Sequence, residues 1–271
     1  IFVGISAINC NSANIKRILD LIKLTKKQKM LSEKLKIVNR IGNLQKIKTS
    51  KSIENYPNIL LKAKLINQNS QDYFNFQLIK NQWAGIIGAS GAGKTTFMDL
   101  ITGVAFPLQV KNCFNTPKGK LNIEINKNLE FIYLSQFNYI PSCSIIEYIA
   151  NTNDLEYLNQ NKKNIVKLLK SIGLYEELGL KNSENLFKDL TENALSISGG
   201  QAQRLNILRI IFEIQNNKSN TNKVLAMDEP FKGLDEDAKN KCILLLRKVS
   251  KTAILITHSI EEANKLCNTI Y

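Results

Sequence analysis

Gly88-Ala89-Ser90-Gly91-Ala92-Gly93-Lys94-Thr95 is the stretch that decides how this chain is read. It matches the phosphate-binding pattern G-x-x-x-x-G-K-[ST], with an apolar strand-like run at residues 84–87 before it and a helical stretch at residues 96–101 after it. Glycines let successive backbone N–H groups turn inward around phosphate oxygens, and a helix starting there aims its positive end at them. Lys94 adds a mobile cation for the β- and γ-phosphates, and the Thr95 hydroxyl suits a Mg²⁺ ion. Together with Thr96, these eight residues are the candidate nucleotide-binding set.

Downstream, Val224-Leu225-Ala226-Met227-Asp228-Glu229-Pro230 is an apolar strand ending in two acids. Alone, it would read equally well as a strand capped by surface carboxylates. After a phosphate loop, the acids divide the labour: Asp228 can hold the Mg²⁺ shell, while Glu229 accepts a proton from the attacking water or orients it. Strand-like runs at 84–88, 129–134, 224–227 and 253–257 alternate with helical stretches, the pattern of an α/β domain with a mostly parallel central sheet. Residues 59–65 alternate as a further strand, after Pro57 has broken any helix. Residues 141–190 interrupt the alternation with helix-like segments, notably 165–172, so an inserted helical subdomain is expected over 140–200. The polar stretch 215–223 reads as a surface loop.

Composition narrows the class. The chain has 271 residues, 44% of them apolar, and no window approaches the roughly 20 uninterrupted apolar residues of a membrane helix. It opens on Ile1 without a signal-peptide pattern and reads as a fragment. Five cysteines (Cys10, Cys113, Cys143, Cys242 and Cys267) are scattered without CxxC pairing, which suggests neither a zinc site nor a disulfide framework and fits a reducing cytosol. The net charge of +14 is lopsided: residues 1–64 carry 14 Lys and Arg against 3 Asp and Glu, the remainder 23 against 20. Basicity therefore belongs to an N-terminal extension, residues 1–48, joined by a linker at 49–58 to the main domain, 59–271. Ile15, Ile18, Leu19 and Ile22 fall on one helical face, and Leu31, Leu35 and Val38 continue a stripe opposite lysines. Such a segment is either a solvated basic helix packed on its own domain or the cytosolic stub of a membrane helix.

Ile197-Ser198-Gly199-Gly200-Gln201, followed by Ala202-Gln203-Arg204, resembles the LSGGQ signature of the ATP-binding-cassette (ABC) family. Ser198 and two glycines at a helix start form a second anion-binding nest. The resemblance implies an ABC-type P-loop NTPase fold with a small antiparallel β part. It also implies ATP and Mg²⁺ as cofactors, and a site completed by a second cassette whose Ser198, Gly199, Gly200 and Gln201 face the bound nucleotide. Gln136 resembles the family's Q-loop glutamine, which senses metal and water. His258 resembles the switch histidine on the γ-phosphate, and Asp235 the D-loop aspartate, with Lys232 and Gly233 replacing the common Ser-Ala. The resemblance thus makes Glu229, His258 and Gln136 the catalytic candidates and Thr95, Gln136 and Asp228 the metal candidates.

The segment Thr191-Glu192-Asn193-Ala194 resembles the G-E-R-G of ABC exporters, and residues 1–41 resemble the end of an exporter's last membrane helix. The resemblance implies an exporter half-transporter at the cytoplasmic face of a membrane, with a transmembrane domain in the same or a partner chain. Asn67 and Gln68 stand where exporters place an adenine-stacking aromatic, and Tyr73 is the nearest substitute. The rival function is a soluble ABC ATPase acting on nucleic acid or ribosomes through the basic N-terminus. Its apolar lead-in and few interleaved aromatics argue against nucleic acid. A regulator without turnover conflicts with the presence of Glu229 and His258.

Overall fold

The computed structural model describes residues 58–66, 72–104, 113–116, 119–126, 129–136, 140–141, 143–187, 197–217 and 222–271. The expected extension at 1–48, the linker up to residue 57, Asn67, Gln68 and the segment 191–194 lie outside them, as does the side chain of Tyr73. In chain order the elements are β1 (Ile59–Ile66), β2 (Asp72–Ile79), β3 (Trp83–Ile86), α1 (Lys94–Ile101), β4 (Cys113–Thr116), β5 (Gly119–Ile125) and β6 (Leu129–Leu134). There follow α2 (Ile145–Ala150), α3 (Leu155–Ser171), α4 (Leu174–Glu177), a 3₁₀ turn (Ser183–Phe187), α5 (Gly199–Asn216), β7 (Asn222–Asp228), α6 (Glu236–Val249), β8 (Ala253–Ile256), α7 (Ile260–Leu266) and β9 (Thr269–Ile270). No helix among the described residues is long and apolar enough to cross a membrane.

The strands form two sheets, one antiparallel in the order β2-β1-β5-β4 and one of five strands in the order β6-β7-β8-β3-β9. Every pairing in the second is parallel. Parallel strands are covered on both faces, so they read as continuous apolar runs, and all four residues of β3 and of β8 are buried. Strand alternation then sorts side chains between two cores. Leu225 and Met227 of β7 join Leu134, Leu255 and the helices α2 to α6, while Val224 and Ala226 join Ile256, α1 and the antiparallel sheet.

Trp83, fully buried at the start of β3, anchors the sheet to α6. Its indole N–H donates to Ser250 O at 3.2 Å, and the Arg247 guanidinium lies 4.2 Å from the ring centroid.

Several boundaries differ from the sequence reading. Strand β3 ends at Ile86 rather than Gly88, and α1 begins at Lys94 rather than Thr96. The stretch 215–223 is not all loop: α5 runs to Asn216, whose side-chain amide donates to Phe212 O at 2.8 Å, and β7 starts at Asn222, in register with Leu129. Polar residues extend both elements because cross-strand and side-chain hydrogen bonds replace apolar burial there.

Local chemistry sets the helix starts. Ser144 and Ser198 form reciprocal capping boxes with Glu147 and Gln201, and Asp154, Asp235 and Ser259 cap α3, α6 and α7. In α3, Leu158, Ile165, Leu168 and Leu169 form the buried face. Arg204 of α5 joins this helical layer by two bonds to Glu177, at 2.7 and 2.5 Å, and also donates to Ile172 O at 3.3 Å.

These Arg204 bonds hold the Glu177 carboxyl below its ordinary pKa of 4.5, outweighing the effect of burial. The stability they contribute is full above that value and is lost as pH falls through the lower folded-state pKa. Arg204→Met, which keeps an apolar stem but no donor, is expected to unfold about 5 °C below wild type at neutral pH. The gap should narrow in acid. Thermal unfolding at both pH values checks this, and a constant gap would remove the ion pair as its cause.

Candidate functional site

The loop before α1 is left open by its own backbone. Gly93 caps the helix in the left-handed region (φ 95°) and supplies no side chain to the first-turn N–H groups, and no acid lies in that turn. The other described α-helices of six or more residues are all capped by a Ser or Asp side chain. A Cβ built on Gly91 or Gly93 would meet nothing within 4 Å, so open space adjoins the loop. Lys94 Nζ lies across it, donating to Gly88 O at 2.7 Å and to Ala89 O at 3.0 Å. Uncapped donors, open space and a cation together make a cradle for an anion.

Beside that loop, β7 ends at Asp228, which is 1% exposed and accepts a 2.6 Å hydrogen bond from Thr95 Oγ1. Burial pushes the Asp228 carboxyl upward and the neighbouring Glu229 charge adds to this, while the Thr95 bond opposes both. A carboxylate and a hydroxyl oxygen side by side are the hard donors that Mg²⁺ takes, so these residues fit such an ion.

Glu229 turns the chain sharply, at φ 48°, a left-handed conformation that costs a residue with a Cβ about 1–2 kcal/mol. Its amide is secured by Ile256 O at 2.9 Å. Three side chains meet its carboxylate: His258 Nε2 lies 2.7 Å from Oε1, Gln136 Nε2 donates to Oε2 at 3.1 Å, and Lys232 Nζ pairs with Oε2 at 3.0 Å. Burial pushes the Glu229 pKa upward, but Lys232, His258 and Gln136 together bring it below the ordinary value. Glu229 is thus an ionised acceptor next to the Asp228 that bonds Thr95 of the loop, suited to take a proton from water.

Ser198, Gly199 and Gly200 open α5, where Ser198 and Gln201 bond each other at 3.1 and 3.2 Å. A Cβ on Gly200 would lie 3.2 Å from Gly233 O, so a glycine lets α5 meet the turn after Glu229. Gln203, buried, donates to Pro230 O at 2.5 Å in the same turn. Asp235 ends this turn and accepts from Ala238 N at 2.9 Å.

The structure therefore brings Thr95 to Asp228, and Gln136 and His258 to Glu229. The bonds of Ser198 and Gln201 close on each other, and Asp235 caps its own helix. Lys232, noted in the sequence only as a departure from the common Ser, is a further contact of Glu229. Its signal was a lysine three residues after an acid, across a turn closed by Lys232 N to Glu229 O at 3.3 Å.

Residues 72–232 match the family described as ABC transporter. The chain is 32% identical to the lipoprotein-releasing system ATP-binding protein LolD of Wigglesworthia glossinidia brevipalpis, over 77% of this chain and 86% of that protein. It is 28% identical to the phosphate import ATP-binding protein PstB of Campylobacter jejuni, over 72% and 76%. Among solved structures it shares its fold with an ATP-binding subunit of an ABC transporter (TM-score 0.52, 19% identity, 78% of this chain and 84% of that one). It also shares it with a bacterial Atm1-family ABC exporter with ATP bound (TM-score 0.53, 18% identity, 78% and 36%). The family match over residues 72–232 and the 32% identity along most of LolD establish that the chain belongs to the ABC transporter family and is one of its ATPases.

Proposed function

We propose that this ATPase holds MgATP between its own phosphate loop and residues 198–201 of a second cassette, and that hydrolysis powers export by a half-transporter. The observation that carries the catalytic reading is the Glu229 carboxylate, ionised and held by His258, Gln136 and Lys232 beside the Thr95–Asp228 pair. In this reading residues 88–96 bind the phosphates, and Lys94 turns from the loop carbonyls to the β- and γ-phosphates. Thr95, Asp228 and Gln136 would hold Mg²⁺, which when bound neutralises phosphate charge. Glu229 takes the proton of the attacking water as its oxygen bonds the γ-phosphorus and the bridging oxygen leaves with ADP. His258 supports the γ-phosphate, and Asp235 works at the contact between cassettes.

Export is supported by the exporter-like segment around Glu192 and by the apolar, then basic, N-terminal stretch. Several membrane spans encoded upstream of Ile1 are the expected finding, and a soluble domain there would overturn the fused half-transporter. A second reading, with the membrane domain on a separate chain, is favoured by the match along most of the length of LolD and PstB, both named ATP-binding proteins. Either arrangement places the ATPase at the cytoplasmic face of a membrane.

Glu229→Gln keeps the shape of the side chain but removes the charge that accepts the proton. Its turnover is expected to fall by about 10²–10⁴-fold, with MgATP binding retained and a closed dimer accumulating. ATPase assays run alongside sizing of the dimer check this, and wild-type turnover would remove Glu229 from the catalytic role.

Lys94→Ala should weaken MgATP binding itself, because the lost cation faces phosphate before as well as during reaction. Mixing Lys94→Ala chains with Ser198→Arg chains then tests the shared site. If signatures work across the interface, each mixed dimer contains one doubly damaged site and one built wholly from intact halves, and partial ATPase activity returns. No recovery in verified mixed dimers would contradict the arrangement.

A further inference from the structure

His258 stands on residues 257–259, which a buried polar chain holds from behind. Thr257, 4% exposed, donates its amide to Ile86 O at 3.3 Å and its hydroxyl to Glu262 Oε2 at 2.5 Å. The same hydroxyl accepts from Ser259 N at 3.1 Å, so both neighbours of His258 are fixed through one oxygen. Glu262, with 8% of its side chain exposed, gives its other oxygen to Lys239 Nζ at 2.7 Å. Ser259 Oγ in turn accepts from the Glu262 amide at 3.1 Å. Lys239 lies in the first turn of α6, and its amide donates to Asp235 O at 2.9 Å.

A buried carboxylate is costly unless its oxygens are satisfied, and this one is held by one group at each end of a path. One end is the residue before His258, and the other is the helix that Asp235 caps. We propose that Glu262, anchored by Lys239, is a positioning residue for His258 that ties the histidine to the α6 end of the segment meeting the signature helix. Glu262 acts through Thr257 and never touches the reacting atoms. A shift of the first turn of α6 moves Lys239, and with it the loop that presents His258 to Glu229. The catalytic part of this inference rests on the reading of His258 given above, whereas the positional part does not.

His258 is the only histidine of this sequence, and in protein labelled with ¹³C at the histidine Cε1 its cross-peak is identified as the one lost in His258→Gln. The test compares wild type, Glu262→Gln, Lys239→Met and Lys239→Arg by this spectrum, by cooperative thermal unfolding and by MgATP hydrolysis. Lys239→Met, which keeps the stem and remains the informative variant if Glu262→Gln does not fold, is expected to shift or split the peak. It should lower kcat about tenfold while leaving KM for MgATP within about twofold, since misplacing a catalytic group affects the reacting state more than binding. Lys239→Arg should restore both peak and kcat. An unmoved peak in folded Lys239→Met, or a moved peak with kcat unchanged, overturns the proposal. If the ATPase reading itself failed, wild type too would show no turnover, and the peak would still report whether Lys239 and Glu262 place His258.

Discussion

A parallel sheet delivers the carboxyl ends of its strands to one edge, and that constraint underlies the whole site. Strands β6, β7, β8 and β3 are consecutive neighbours, and Gln136, Asp228 with Glu229, His258, and the phosphate loop follow them in that order. At roughly 4.8 Å between strands, the four loops fall within about 14 Å across the sheet edge. No loop has to search for its partners. The arrangement requires both faces of the sheet to be dry, which the two apolar cores supply.

Two adjacent acids receive opposite treatment from their surroundings. Asp228, almost fully buried, is pushed toward its neutral form by desolvation and held back by the Thr95 hydroxyl. Glu229 is turned out of the strand line by its left-handed backbone into the reach of Lys232, His258 and Gln136, whose charges and donors outweigh its burial. Environments that separate neighbouring carboxylates in this way suit them to different tasks. The backbone strain at Glu229 has a visible counterweight in the hydrogen bond from its amide to Ile256 O.

Helix α5 joins parts that the chain order separates. Its first turn packs on Gly233, Gln203 and Arg204 bond Pro230 and Glu177, and its apolar face lies in the helical core. The signature segment therefore sits on a helix braced at once by the turn after Glu229 and by α4. Gln203 and Arg204, adjacent on this helix, thus connect the turn after Glu229 to the helical layer.

By itself the sequence determined the local features: the phosphate loop and its flanking strand and helix, the acid pair at a strand end, the glycine-led signature, and the α/β alternation. The motifs, and each run of the alternation, are readable because they depend on spacing within about ten residues, where glycine freedom, capping chemistry and apolar periodicity act directly. Gln136 and His258 were found only through resemblance, since a lone glutamine or histidine after a strand has no periodicity to announce it. Only the tertiary structure decided that both converge on the Glu229 carboxylate, that Thr95 bonds Asp228 across 133 positions, and that Lys239 and Glu262 brace the loop of His258. The physical reason is that strand order and helix docking bring these partners together, and nothing in their sequence separation encodes a hydrogen bond.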